Sequence, residues 1–273
     1  MGFFSIGNNK KRTVIFDIGT SSVGGAYIAY KDSLPHILFH KRLEADIDDY
    51  ENFERYFTQT LSGLNNISKL ITTRKDYSPP QRIACFLPSV LYMSEIRTIT
   101  YKEDKPVEIT KAIVSKVIDE EISKSKKSIA FEREIPDGKP VILAQELINL
   151  KLNGYVINEP YGKKADELTL TLFISYTSDS VIKRIESEIH KIIQVEDIEF
   201  RGAAHSLYNI INNHLEDQND YLLYNLNGEI TELLVVRSGK LSQIVTYPFG
   251  RRTLVRKLRD RLNINYKEAE TIL

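Results

Sequence analysis

Two short polar turns in this chain carry residue types suited to gripping a phosphate chain. The first is Gly19-Thr20-Ser21-Ser22, directly after Asp17 and the apolar run Thr13–Ile18. Phosphate oxygens need several backbone N–H donors pointing into a concave turn, and small residues let the backbone come close. Asp17, just before the turn, could hold magnesium through water, as a hard oxygen ligand should. The second turn, Asn227-Gly228-Glu229, lies between the apolar segments Tyr221–Leu226 and Ile230–Val236. Both segments read as strand, polar turn, strand, with Asp17 matched by Asn225. Two such hairpins at similar points of two half-domains make an internal duplication. Facing one another, they would clamp a triphosphate such as ATP, with magnesium, from both sides. The candidate contacts are Asp17, Gly19, Thr20, Ser21 and Ser22 on one side, and Asn225, Asn227, Gly228 and Glu229 on the other.

The remaining chemistry-bearing residues read as structural. Cys85 is the chain's one cysteine and cannot form an internal disulfide. It sits in the apolar run Ile83–Leu87 as a small buried thiol, and a reducing compartment is the simplest setting. His36 and His40 have metal spacing only on a helix, and their neighbours predict a strand. His205 and His214 are assigned to a polar helix face. Asp46, Asp48, Asp49 and Glu51 read as a helix start, where the helix dipole favours negative charge. Arg251, Arg252, Arg256, Lys257 and Arg259 make a basic helix, read as a solvated face. Neither a Gly-x-Ser-x-Gly motif nor a long P-loop is present.

Bulk composition narrows the classes further. The chain has 273 residues, 42% of them hydrophobic, with 37 basic and 37 acidic side chains. That balance argues against a general nucleic-acid binder, which needs excess positive charge. No run of about 18 apolar residues occurs, so the sequence predicts no membrane-spanning helix. The N-terminal patch Gly2–Ile6 precedes Lys10-Lys11-Arg12, the reverse of a secretory signal, and reads as a frayed terminus.

Positioning the two turns requires a longer run of elements. Strands are predicted at 13–18, 23–30 and 36–43, then a helix with Tyr50, Phe53, Phe57, Leu61 and Leu64 at helical spacing, then a strand at 82–87. From about Ser94 a different unit begins: strand, helix, strand, strand, helix, ending near 195. It contains the Asn153-Gly154 hairpin signal and the alternating strand Leu168–Tyr176. The first pattern resumes at Ile198, with a helix over 202–215 whose buried face is expected to be Leu207, Ile210, Ile211 and Leu215. Strands at 221–226, 230–236 and 241–247 and a helix after Gly250 follow. The expected domains are 1–93, an inserted module at 94–195, and 196–273.

Phe16-Asp17-Ile18-Gly19-Thr20-Ser21-Ser22-Val23 resembles the first phosphate motif of the actin, sugar kinase and heat-shock chaperone superfamily. The second hairpin stands where that superfamily has its second phosphate motif, and Gly202-Ala203-Ala204 resembles its first connecting helix. The inserted module, the stretches Asn153-Gly154-Tyr155 and Asn158–Gly162, and the segment from Gly250 to Tyr266–Glu270 are similar to the bacterial cell-division FtsA family. The pilus-assembly PilM family shares the architecture. The resemblance runs from about residue 12 to the end. It implies an actin-like (ribonuclease H-like) α/β fold of duplicated domains with a small inserted SHS2-type subdomain. It also implies a cytoplasmic scaffold that forms filaments and meets the tubulin-like division protein FtsZ or other division proteins. Such a scaffold reaches the inner face of the membrane through a C-terminal helix. That helix and the adenine-contacting Gly-Gly turn are not in this sequence, so a C-terminal part is expected to be missing and one face of the second half partly uncovered.

The second motif departs from the superfamily pattern, an Asp-rich and Gly-rich turn. Asn225, Asn227 and Glu229 replace a carboxylate and two glycines, and Glu229 adds negative charge. At about 4 Å and an effective dielectric near 20, a like-charge contact costs roughly 4 kcal/mol. The sequence therefore predicts weak or lost ATP binding and little hydrolysis.

Overall fold

A computed structural model describes residues 12–45, 52–132, 138–215 and 218–273. The N-terminal patch Gly2–Ile6 with Lys10-Lys11, and the acidic cluster Asp46–Glu51 with Tyr50, lie outside the described residues.

The first sheet is built around β1 (Arg12–Ile18), whose alternating Val14, Phe16 and Ile18 are buried. It turns tightly at Gly19–Ser21, where the Gly19 N–H donates to Ser22 O at 2.8 Å, into antiparallel β2 (Ser22–Lys31). An edge strand, β3 (Leu34–Glu44), follows. Helix α1 (Phe53–Thr72) starts at Asn52, whose side chain accepts the Arg55 N–H at 3.0 Å. Then β4 (Arg82–Leu87) returns parallel to β1. With β9 (Ile198–Gly202) parallel to β4, the order is β3-β2-β1-β4-β9.

Between β4 and β9 lies a second sheet. It comprises β5 (Tyr92–Glu108), β6 (Pro140–Leu152), the short β7 (Tyr155–Val156) and β8 (Lys164–Ser178), in the order β5-β8-β6-β7. The β6–β7 turn uses Asn153 and Gly154 at φ 48° and 82°, a left-handed pair that explains the Asn-Gly signal. Helix α2 (Lys111–Glu132) covers one face. Val114 and Val117 pack there against Leu150, Leu152, Leu168 and Leu170. Strand β5 runs through Pro106, and the helix starts after it at Lys111.

Helix α3 (Asp179–His190) follows the inserted unit in sequence and is expected to belong to it. Its buried Val181, Ile185 and Ile189 belong instead to the core of the first sheet, with Phe57, Leu64 and Ile67 of α1.

After β9, α4 (Ala203–Asn212) leads to an antiparallel meander, β10 (Tyr221–Leu226), β11 (Thr231–Arg237) and β12 (Lys240–Tyr247). The buried residues of α4 are Ala204, His205 and Tyr208, while Ile210 is exposed. The expected face was wrong because α4 does not lie on one sheet. Ala204 and Tyr208 sit between Phe173 of β8 and Leu234, Val236 and Leu241 of the meander. His205 is drawn in with them: it stacks on Phe173 at 4.0 Å and pairs with Glu146 at 2.9 Å. The outer side of β10 leaves Leu222, Tyr224 and Leu226 exposed. Helices α5 (Arg251–Leu262) and α6 (Tyr266–Ile272) finish the chain. Among the described residues, no helix is long and apolar enough to cross a membrane.

Candidate functional site

The two hairpin turns, separated by some two hundred residues of chain, touch. The Glu229 N–H donates to the buried Thr20 hydroxyl at 2.9 Å. A Cβ on Gly228 would overlap the Ser21 side chain, so glycine is needed there for close approach rather than for φ. The β1–β2 and β10–β11 hairpins thus bring Thr20 and Ser21 against Gly228 and Glu229.

Helix α5 locks the second turn from behind. The N–H groups of Arg251 and Arg252 donate to the carbonyls of Asn227 and Gly228 at 2.9 and 2.8 Å. Gly250 sits so close that any Cβ would strike the Gly228 carbonyl. Arg252 reaches into the first half, donating to Ser21 O at 3.3 Å and Ala45 O at 2.5 Å. Arg256 donates both terminal nitrogens to the Glu229 carboxylate, at 2.9 and 2.6 Å. This bidentate pair holds the Arg256 pKa above its usual value. The Glu229 side chain is 1% exposed. The basic helix is therefore not a solvated face: Arg251 also pairs with Glu270, and three of its arginines are committed to holding the turns or α6.

The other expected contacts sit apart from this junction. Asp17 pairs with Arg42, which also donates to the Ser22 hydroxyl at 2.8 Å. Asn225 and Asn227 both donate to one oxygen of Glu232, at 2.8 and 3.2 Å. Glu232 is fully buried, and burial pushes its pKa up, opposed by Ser89 and the two asparagines. Gly19 accepts the Tyr56 hydroxyl through its carbonyl at 3.2 Å. Among the described residues no group of three His, Cys, Asp or Glu side chains is placed to hold a metal ion.

A triphosphate with magnesium does not fit this arrangement. The Glu229 amide is spent on Thr20, the Gly228 backbone rests on Ser21, and Asp17 is committed to a guanidinium. The partners that sequence reasoning missed are Arg42 for Asp17, and Arg252 and Arg256 for the two turns. The recurrence of arginine at 252 and 256, one helical turn apart after Gly250, was the available signal. Its partner, Glu229, lies 27 residues away.

No family model and no curated protein matches the chain. Solved structures do. A chain of the PilM–PilN type IV pilus biogenesis complex aligns with a TM-score of 0.60 at 11% identity, covering 95% of this chain and 68% of that one. A protein of unknown function from Bacteroides thetaiotaomicron, described as having an actin-like ATPase fold, aligns at 0.47 and 9% identity, over 97% and 82%. MreB 5 of Spiroplasma citri bound to AMPPNP aligns at 0.44 and 9% identity, over 97% and 62%. The chain thus spans about two thirds of the pilus-complex protein and less of MreB 5. Likeness at these identities speaks to fold alone, and the two scores below 0.5 carry no argument. With two facing hairpins on separate sheets, and the expected order of elements, the chain has the actin-like α/β fold.

Proposed function

We propose that this chain is a non-catalytic assembly scaffold on an actin-like fold, held closed by protein contacts where its fold relatives would hold a nucleotide. One observation carries the reading: Thr20 and Ser21 are in direct contact with Glu229 and Gly228. Two surfaces that meet through a hydrogen bond and a glycine approach leave no room for phosphates between them. The loss of a carboxylate at Asn225 points the same way.

Of the two bacterial scaffold families that the sequence resembles, the pilus-assembly type is the better supported. The likeness to the PilM–PilN chain extends over 95% of this one. The division-scaffold reading, with filaments, FtsZ-type partners and attachment at the inner membrane face, rests on the inserted four-stranded sheet and stays the second choice. On this reading the module bounded by β5 and β8 is the surface that meets a neighbour. With α3 assigned to the first sheet, on which its buried residues pack, the module is read as about 92–178 instead of 94–195.

A turnover assay and sedimentation, each with and without magnesium-ATP, test the reading together. A scaffold of this kind releases no phosphate above the blank and sediments identically in both conditions. Measurable hydrolysis abolished by Asp17→Ala would instead assign an ATP-using enzyme.

A further inference from the structure

The two hairpins share one register. Ile18 pairs with Val23 across the first, and Leu226 pairs with Thr231 across the second, at the same offset. With Asp17 matched to Asn225, the β1 residues Val14, Phe16 and Ile18 correspond to Leu222, Tyr224 and Leu226 of β10. Their surroundings differ. Val14, Phe16 and Ile18 are at most 1% exposed, because α1 packs over them. That helix comes so near the sheet that a Cβ on Gly25 would strike Ile67, and a Cβ on Gly63 would strike Val23. Leu222, Tyr224 and Leu226 are 55%, 65% and 54% exposed, and no described helix covers them.

The bare face continues across the meander. Tyr224 stands beside Leu233 and Leu233 beside Val245, while Leu226 leads through Thr231 to the exposed Tyr247. Strand spacing and rise make this face roughly 15 by 20 Å, on the order of 300 Å². A stable pair of globular proteins buries about 800 Å² on each partner, so the face alone is too small to hold a second copy of the chain. A single helix about 10 Å across and about 14 residues long fits it lengthwise. Charge selects the kind of helix. By strand alternation Arg237 stands at one end of the face, past Val235. Lys257 stands at the other, over the ring of Phe249, whose carbonyl accepts the Thr231 hydroxyl. Neither cation is paired with a carboxylate among the described residues. Between them the outward positions of β10, β11 and β12 carry no Asp or Glu.

We propose that the outer face of the β10–β12 meander docks an amphipathic helix of a partner protein, its apolar stripe covering Leu222, Tyr224 and Leu226 and its acidic flanks meeting Arg237 and Lys257. The partner helix takes on the second sheet the place that α1 holds on the first. This surface adds to the scaffold reading and does not depend on whether the two turns are closed.

The probe is a designed helical peptide of about 14 residues, with leucine along one face and glutamate along both flanks. It is titrated into the isotope-labelled full chain and followed by NMR. Saturable shifts are expected at the backbone amides of Leu222–Leu226 and Leu233–Val235. A peptide with lysine in place of glutamate should bind at least about tenfold more weakly. In the chain, Tyr224→Asp should weaken the acidic peptide at least about tenfold, and Arg237→Glu combined with Lys257→Glu should do the same. Tyr224 is mostly solvated, so the substitution spares the core. Should that variant nevertheless unfold, Leu222→Asn replaces it with the same expectation. Shifts confined to β5–β8, or no shifts at all, overturn the proposal. Equal affinity for the lysine and glutamate peptides overturns the acidic partner. Sedimentation of the chain alone is the remaining arm: a dimer that Tyr224→Asp abolishes makes a second copy the occupant, and the partner helix falls.

Discussion

Burying a carboxylate costs several kcal/mol unless a partner neutralises it, and the two buried glutamates of the second hairpin meet that demand differently. Glu229 has a bidentate arginine. Arg256→Ala therefore strands a buried charge. Because the arginine is 30% exposed, the expected loss is about 2–3 kcal/mol in urea unfolding. Lysine at 256 should recover only part of it, being a point charge without the fork. An unchanged midpoint would contradict the pairing. Glu232 has only asparagine and serine donors, and its folded pKa is raised above the ordinary carboxylate value. A raised folded pKa means that the protonated form is the one the fold favours. Its contribution is complete below about pH 4 and is lost as pH rises through the folded pKa. Glu232→Gln should thus leave stability near pH 4 almost unchanged and raise it relative to wild type at pH 7–8. Thermal melts across that range check the sign, and a variant that is less stable at high pH would refute it.

The elements were legible wherever a single face meets a single core. The alternating strand Leu168–Tyr176 and the apolar stripe of α1 lie as their periodicity predicted. Reading failed where an element serves two neighbours or a distant one. α4 is wedged between two sheets, so its buried residues do not form the simple apolar stripe that the spacing predicts, and His205 is buried with Phe173 on one side. α3 follows β8 in sequence but packs across the first sheet against α1, and periodicity alone carries no information about which sheet covers a helix. Ile185→Ala tests that placement. Removing this fully buried side chain should cost about 2–5 kcal/mol, and amide exchange should accelerate in α1 and β1 together with α3. Acceleration confined to α2 and β5–β8 would return α3 to the module.

In the whole molecule, two halves meet through small residues and the arginines of α5. The turns themselves were readable, because Gly19–Ser22 and Asn227–Glu229 interrupt apolar runs in matching positions. What they contact was not: Arg42 for Asp17 and Arg256 for Glu229 are partners made by the fold, 25 and 27 residues away along the chain. The degraded second motif, read from sequence as a phosphate site weakened by charge, is in the folded chain in direct contact with the first turn. An NMR titration of the full chain with magnesium-ATP, following the backbone amides of Gly19–Ser22 and Asn227–Glu229, tests this most directly. The account predicts that these resonances stay fixed up to millimolar ATP. Saturable shifts at both turns together would mean that the halves open to hold a nucleotide, and would contradict it.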